Sequence, residues 1–187
     1  MSGTRLLRAA DRAARPWKNG GGVTRDVAVF PEGASDADFL WRASIATIAQ
    51  AGPFSSFPGV DRAFLLLRGE LAITVGDQEE RRLRPSAPTL VFAGEDRVEA
   101  RPVGENCTAL NIMTRRGRVS MRVGHRVTAE GAKAIALLVF ALESTALELR
   151  EARVDLAPGD ALLIDRPADL VAIQGAAIAA EFFYAAA

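Results

Sequence analysis

The sequence predicts an all-β protein made of two similar halves, and three observations carry that expectation. Apolar runs are short and end at turn residues, the pattern of many strands in a sandwich or barrel. One ungapped offset of 73 residues lays Leu83-Arg84-Pro85 over Leu156-Ala157-Pro158, Leu67 to Glu70 over Phe140 to Glu143, and Leu110-Asn111 over Phe183-Tyr184. The 187 residues, 49% of them hydrophobic, suffice for a core without disulfide staples. Two repeats are too few for a solenoid, so a duplicated barrel or sandwich is the natural result.

In chain order, Thr24 to Phe30 reads as a strand, and Phe39 to Ile48 as a longer one rich in β-branched and aromatic residues. Ala63 to Leu67 and Leu71 to Val75 flank the turn Arg68-Gly69-Glu70, and Thr89 to Phe92, Arg97 to Ala100 and Thr108 to Met113 follow at short intervals. Ala132 to Leu149 suits a helix or strands by composition. The repeat favours strands, because Ile135 to Phe140 falls where Ala63 to Leu67 lies in the first half. Thr114 to Gly131 is polar, holds Gly117, Gly124 and Gly131, and is the expected junction between halves spanning 1–117 and 118–187. Leu156 to Ile164 is a turn with Pro158-Gly159 at its corner followed by a strand, as in cupin barrels.

Composition removes several chemistries. Lys+Arg 23 cancels Asp+Glu 23, which leaves no electrostatic reason to expect nucleic acid or a membrane surface as partner. A single Cys107 forbids a disulfide framework or Cys-cluster metal site. A single His125 forbids a multi-histidine metal centre, so neither metal nor other cofactor is expected. There is no Gly-x-Ser-x-Gly elbow for a hydrolase triad. Arginines interrupt the N-terminal apolar residues, no window approaches a membrane span, and a cytoplasmic location is expected.

Four segments are candidates for chemistry. In Pro16-Trp17-Lys18-Asn19-Gly20-Gly21-Gly22, successive glycines without Cβ form either an anion-binding nest beside Lys18, one of only two lysines, or a tight turn and bulge before a strand. In Gly52-Pro53-Phe54-Ser55-Ser56-Phe57-Pro58, two prolines make a rigid loop whose Phe54 and Phe57 either wall a pocket or plug a barrel end, and the adjacent Asp61-Arg62 reads as a local ion pair. In Trp41-Arg42-Ala43-Ser44-Ile45, Arg42 and Ser44 share one strand face; pointing inward they suit a carboxylate, pointing outward they are ordinary surface. Asn111 and Met113 share a face of another strand, and the basic run after them lacks the aromatics that would stack nucleic-acid bases.

Taken together these segments resemble the HutD/Ves family, a small bacterial group with a cupin-like fold. Trp17 to Arg25, Trp41 to Ala46, Gly52 to Arg62 and Asn111 to Gly117 occur in family order and spacing, spanning most of residues 5 to 118. Ala109 stands where the family often has an acidic residue. The resemblance implies a bicupin, with two fused barrel or jelly-roll halves and one retained pocket. It also implies a link to histidine utilisation, through binding of a pathway metabolite such as a formylated glutamate or urocanate, with no firmly attached catalytic activity and no known metal requirement.

In that light the expected site lies in the first half. Lys18 and Arg42 would hold a ligand carboxylate. Asn19, Ser44, Ser55 and Asn111 would read a formyl or amide group. Trp17, Phe54, Phe57 and Met113 would wall the pocket, with Gly20, Gly21 and Gly22 beside it. The expected partner is a small anionic metabolite, formylglutamate- or urocanate-like, and edge strands suggest a homodimer. Two alternatives stand beside this binding role. One is a metal-independent isomerase, epimerase or lyase using Lys18, Asp61 or His125 as base. The other is a structural or oligomerisation protein without ligand.

Overall fold

The computed structural model describes residues 3–17, 19–85 and 87–185. They form an all-β chain with three one-turn 3-10 segments. Contacts divide it into two compact units: Ala13–Arg116, and the residues up to Arg12 together with those from Gly117 onward. The expected halves were 1–117 and 118–187. Contacts group Gly117 with the later residues, and the first strand lies in that same unit because its backbone pairs with Ala161–Ile164.

In the unit Ala13–Arg116 the strands are β2 (Ala14–Pro16), β3 (Gly22–Phe30), β4 (Trp41–Ile48), β5 (Gly52–Pro53), β6 (Val60–Arg68), β7 (Leu71–Val75), β8 (Arg81–Leu83), β9 (Leu90–Ala93), β10 (Val98–Pro102) and β11 (Cys107–Arg115). They pair as a six-stranded sheet in the order β2-β3-β4-β11-β6-β9 and a four-stranded sheet β5-β10-β7-β8. The other unit holds β1 (Thr4–Leu7), β12 (Val119–Gly124), β13 (Ala136–Ala141), β14 (Thr145–Leu149), β15 (Arg153–Leu156), β16 (Ala161–Ile164), β17 (Leu170–Gln174) and β18 (Ala177–Tyr184). Its sheets run β1-β16-β13-β18-β12 and β15-β14-β17. All four sheets are open rather than closed on themselves.

The sequence repeat reappears as a repeat of pairing. β6 pairs β9 and β11 while β7 pairs β8 and β10; likewise β13 pairs β16 and β18 while β14 pairs β15 and β17. The ambiguous stretch Ala132 to Leu149 is strand, as the repeat indicated. In the last strand the offset slips. Phe64 faces Asn111, and its counterpart Leu137 faces Glu181, so Asn111 corresponds to Glu181 and not to Tyr184. The turn before β18 is two residues shorter than the loop before β11, which accounts for most of that slip.

Alternation along each strand sends every second side chain between the two sheets of its unit. In the first, Ile48, Phe64, Leu66, Cys107 and Ala109 of one sheet pack against Leu71, Ile73, Leu83 and Val98 of the other. In the second, Leu137, Val139, Leu162 and Ala179 pack against Leu147 and Leu156. Burial pushes the Cys107 thiol above its ordinary value, and the residue is a core side chain.

Candidate functional site

Three rows of side chains cross the inner face of the six-stranded sheet, each fixed by strand register. Phe92, Arg62, Met113 and Arg42 lie side by side on β9, β6, β11 and β4. The next row is Leu90, Phe64, Asn111, Ser44 and Asp26. The third is Leu66, Ala109, Ala46, Thr24 and Arg15, where the face turns apolar toward the core. A cavity of about 880 Å³ opens over these rows. The Pro53 to Pro58 loop forms one wall, and Pro16, Trp17, Asn19 and Asp36 lie along others.

Nine of the expected site residues line this cavity: Trp17, Asn19, Arg42, Ser44, Phe54, Ser55, Phe57, Asn111 and Met113. Arg42 and Ser44 point inward and are buried, the less ordinary of the two orientations open to them. Trp17 is held by its indole N–H, which donates to Thr24 Oγ1 at 2.8 Å. Lys18 lies outside the described residues. Gly20, Gly21 and Gly22 do not line the cavity. Gly20 takes φ +72°, the Gly21 N–H donates to Asn19 Oδ1, and a Cβ on Gly22 would strike the Thr47 carbonyl. Those constraints are the ones a tight turn feeding β3 imposes.

The charges are arranged differently from the sequence expectation. Arg42 is already neutralised: Nε donates to Asp26 Oδ1 at 2.7 Å and Nη1 to Asp36 Oδ1 at 2.7 Å. Asp26 also accepts from Arg15 Nη2 at 2.7 Å. Arg62, which the sequence reading paired with Asp61, is buried with no carboxylate partner among the described residues. Neighbours on a strand face opposite ways, and Asp61 accepts instead from Arg116 Nε at 2.7 Å. Arg62 is 4% exposed and sits among Phe54, Phe57 and Phe92, its guanidinium carbon 5.3, 5.7 and 4.8 Å from their ring centres. Nη1 donates to the Ser55 carbonyl at 3.3 Å, while Nε has no partner among the described residues. Burial, and secondarily the positive charge of Arg42, lower its pKa to about 10. Asn111 Oδ1 in the adjacent row is likewise buried with no partner among the described residues. In the sequence Arg62 closes the Gly52 to Arg62 motif but was read only as a partner of Asp61; the signal for its role was its place on the same strand face as Phe64 and Leu66.

The profile of the HutD family matches residues 9–180 of the chain. The chain belongs to the HutD family. Protein Ves of Citrobacter koseri is 42% identical over 108 residues, 57% of this chain and 56% of that protein, so the chain spans little more than half the length of this relative. The structure is similar to HutD from Pseudomonas fluorescens SBW25, with a TM-score of 0.83 and 27% identity over 98% of this chain and 100% of that one. Ylba from E. coli, at 10% identity and a TM-score of 0.64 over 98% of this chain and 87% of that one, shares the fold alone. The fold of this HutD-family chain is accordingly cupin-like.

Cupin-like folds that hold a metal do so with several histidines and a carboxylate. The donor set here does not fit one. His125, the chain's one histidine, is exposed in the other unit, and among the described residues no three His, Cys, Asp or Glu side chains group to hold an ion. Two of the candidate bases, Asp61 and His125, do not line the cavity; the only carboxylate among its described lining residues is Asp36, already engaged by Arg42. Among the described residues no helix is long and apolar enough to cross a membrane.

Proposed function

We propose that this chain is a bicupin that binds a small carboxylate metabolite in the cavity of the unit Ala13–Arg116, with Arg62 as the anion's partner. One observation carries the reading: a buried, uncompensated guanidinium faces a cavity of metabolite size. A buried charge costs several kcal/mol unless it is paired, and an incoming carboxylate supplies the pair through charge-assisted hydrogen bonds. Asn111, one row over, offers its amide to a second polar group of the ligand. Phe54, Phe57 and Phe92 exclude water from the contact. Asp36, the carboxylate among the described lining residues, is held by Arg42, which supports binding over turnover. Formylglutamate and urocanate both carry the required carboxylate, and a role in limiting histidine utilisation by sensing such a metabolite is part of this proposal.

Calorimetry with formylglutamate and urocanate, alongside NMR of the same mixtures, tests the reading. We expect heat of binding with the compound unchanged. Product formation would favour the isomerase or lyase alternative, and silence in both measurements would favour a purely structural role.

A further inference from the structure

Asp36 is the odd member of the cavity wall. It lies in the connection between β3 and β4, its side chain 59% exposed, yet its carboxylate holds Nη1 of the buried Arg42 at 2.7 Å. It also borders a second cavity of about 470 Å³, lined by Val29, Ala34 and Ser35, and the two cavities share Arg15, Asp36, Ala37 and Arg42. The Asp36–Arg42 pair is therefore a partition between two compartments. Its strength is unequal from the two sides. Asp26, on a paired strand, holds Arg42 Nε and Nη2 through contacts that do not involve Asp36. Asp36 contributes one contact from an exposed position, the kind of ion pair that is weak in water.

We propose that Asp36 is a displaceable internal ligand, and that the cavity takes acids with two carboxylates, one on Arg62 and the other replacing Asp36 on Arg42. The proposal rests on the carboxylate reading of the cavity and names its substrate class. Arg62 and Arg42 flank Met113 in one row, two strand spacings apart, roughly 10 Å between backbones. Long side chains converging from both sides bring the two guanidinium groups within reach of one short diacid. Exchange on Arg42 swaps one carboxylate for another, so no buried charge is left unpaired at any stage. The departing Asp36 is rehydrated at the surface, and the partition between the two cavities opens.

The probes are glutarate and butyrate, titrated calorimetrically into the full chain and its Asp36→Asn variant. We expect the glutarate-to-butyrate affinity ratio to rise about fivefold in Asp36→Asn, the worth of an exposed ion pair. Amide hydrogen exchange supplies a second readout: glutarate should speed exchange over residues 34–37 of the wild-type protein, and butyrate should not. Binding of both acids with an unmoved ratio, or protection of residues 34–37 by glutarate, would overturn this inference alone. Binding of neither acid would overturn the carboxylate site as well.

Discussion

The two units repeat one pairing scheme with different interiors. In Ala13–Arg116 the row position beside Met113 is Arg62; in the other unit its counterpart by the 73-residue offset is Ile135. Asn111 has an orphaned oxygen in the first unit, whereas its counterpart Glu181, only 1% exposed, is fully engaged in the second. Thr128 supplies both donors there, its N–H to Oε1 at 2.7 Å and its hydroxyl to Oε2 at 2.9 Å. Ser44 has Arg122 as counterpart, and Arg122 is turned to an ion pair with Glu130. Among the described residues, three of the four buried polar atoms without a partner (Arg62 Nε, Asn111 Oδ1 and Thr114 Oγ1) lie in the first unit and one, Arg12 Nε, in the other. Unsatisfied buried groups are rare in folded proteins, and the two that face the cavity of the first unit, Arg62 Nε and Asn111 Oδ1, have as counterparts an apolar Ile135 and the engaged Glu181.

Four substitutions or conditions test that contrast. The largest effect is expected at Arg62. Arg62→Gln should weaken formylglutamate binding about a hundredfold, the cost of losing a buried charge partner, as read by calorimetry. In the filled interior, Thr128→Val should destabilise the chain by about 2 kcal/mol, because Glu181 loses a hydrogen bond to a charged group. Chemical denaturation measures it, and carboxylate affinity should stay as in the wild type. A smaller effect is expected of Asn111→Leu, which removes an unpaired acceptor and so costs little stability; affinity should fall about tenfold, one good polar contact. The smallest is a pH effect. The Arg62 pKa is depressed to about 10, so the folded chain releases this proton before the unfolded one does. Its contribution to stability therefore rises with pH between about 10 and the ordinary arginine value. Carboxylate affinity, which needs the charged form, should be flat through neutral pH and fall about twofold by pH 10.

Much of the fold was legible because strands announce themselves through period and turns. The offset of 73 residues assigned Ile135 to Phe140 to a strand against its helical composition. It failed at β18, where the register moves by three residues, two of them from a shorter turn, and this hid the Asn111–Glu181 correspondence. The site was legible where faces alternate: Arg42 with Ser44, and Asn111 with Met113, lie together as their spacing indicates. The charge partners were not, since Asp26 reaches Arg42 from 16 residues away through strand pairing and Asp36 from 6 residues away out of the connection between β3 and β4. Asp61-Arg62 misled for a related reason. Adjacency in sequence suggests a pair, and the pleat of β6 puts the two on opposite faces.

The most direct test of the contrast is Arg62→Met, which fills the same space without the charge. Thermal unfolding of the wild type and the variant, each with and without saturating formylglutamate, separates what Arg62 does for the fold from what it does for the ligand. Free of ligand, we expect the variant to match the wild type or exceed it by up to about 2 kcal/mol, since an unpaired buried charge is removed. With ligand, only the wild type should gain stability. A variant that formylglutamate still stabilises as strongly as it does the wild type would contradict the assignment of Arg62 as the anion's partner.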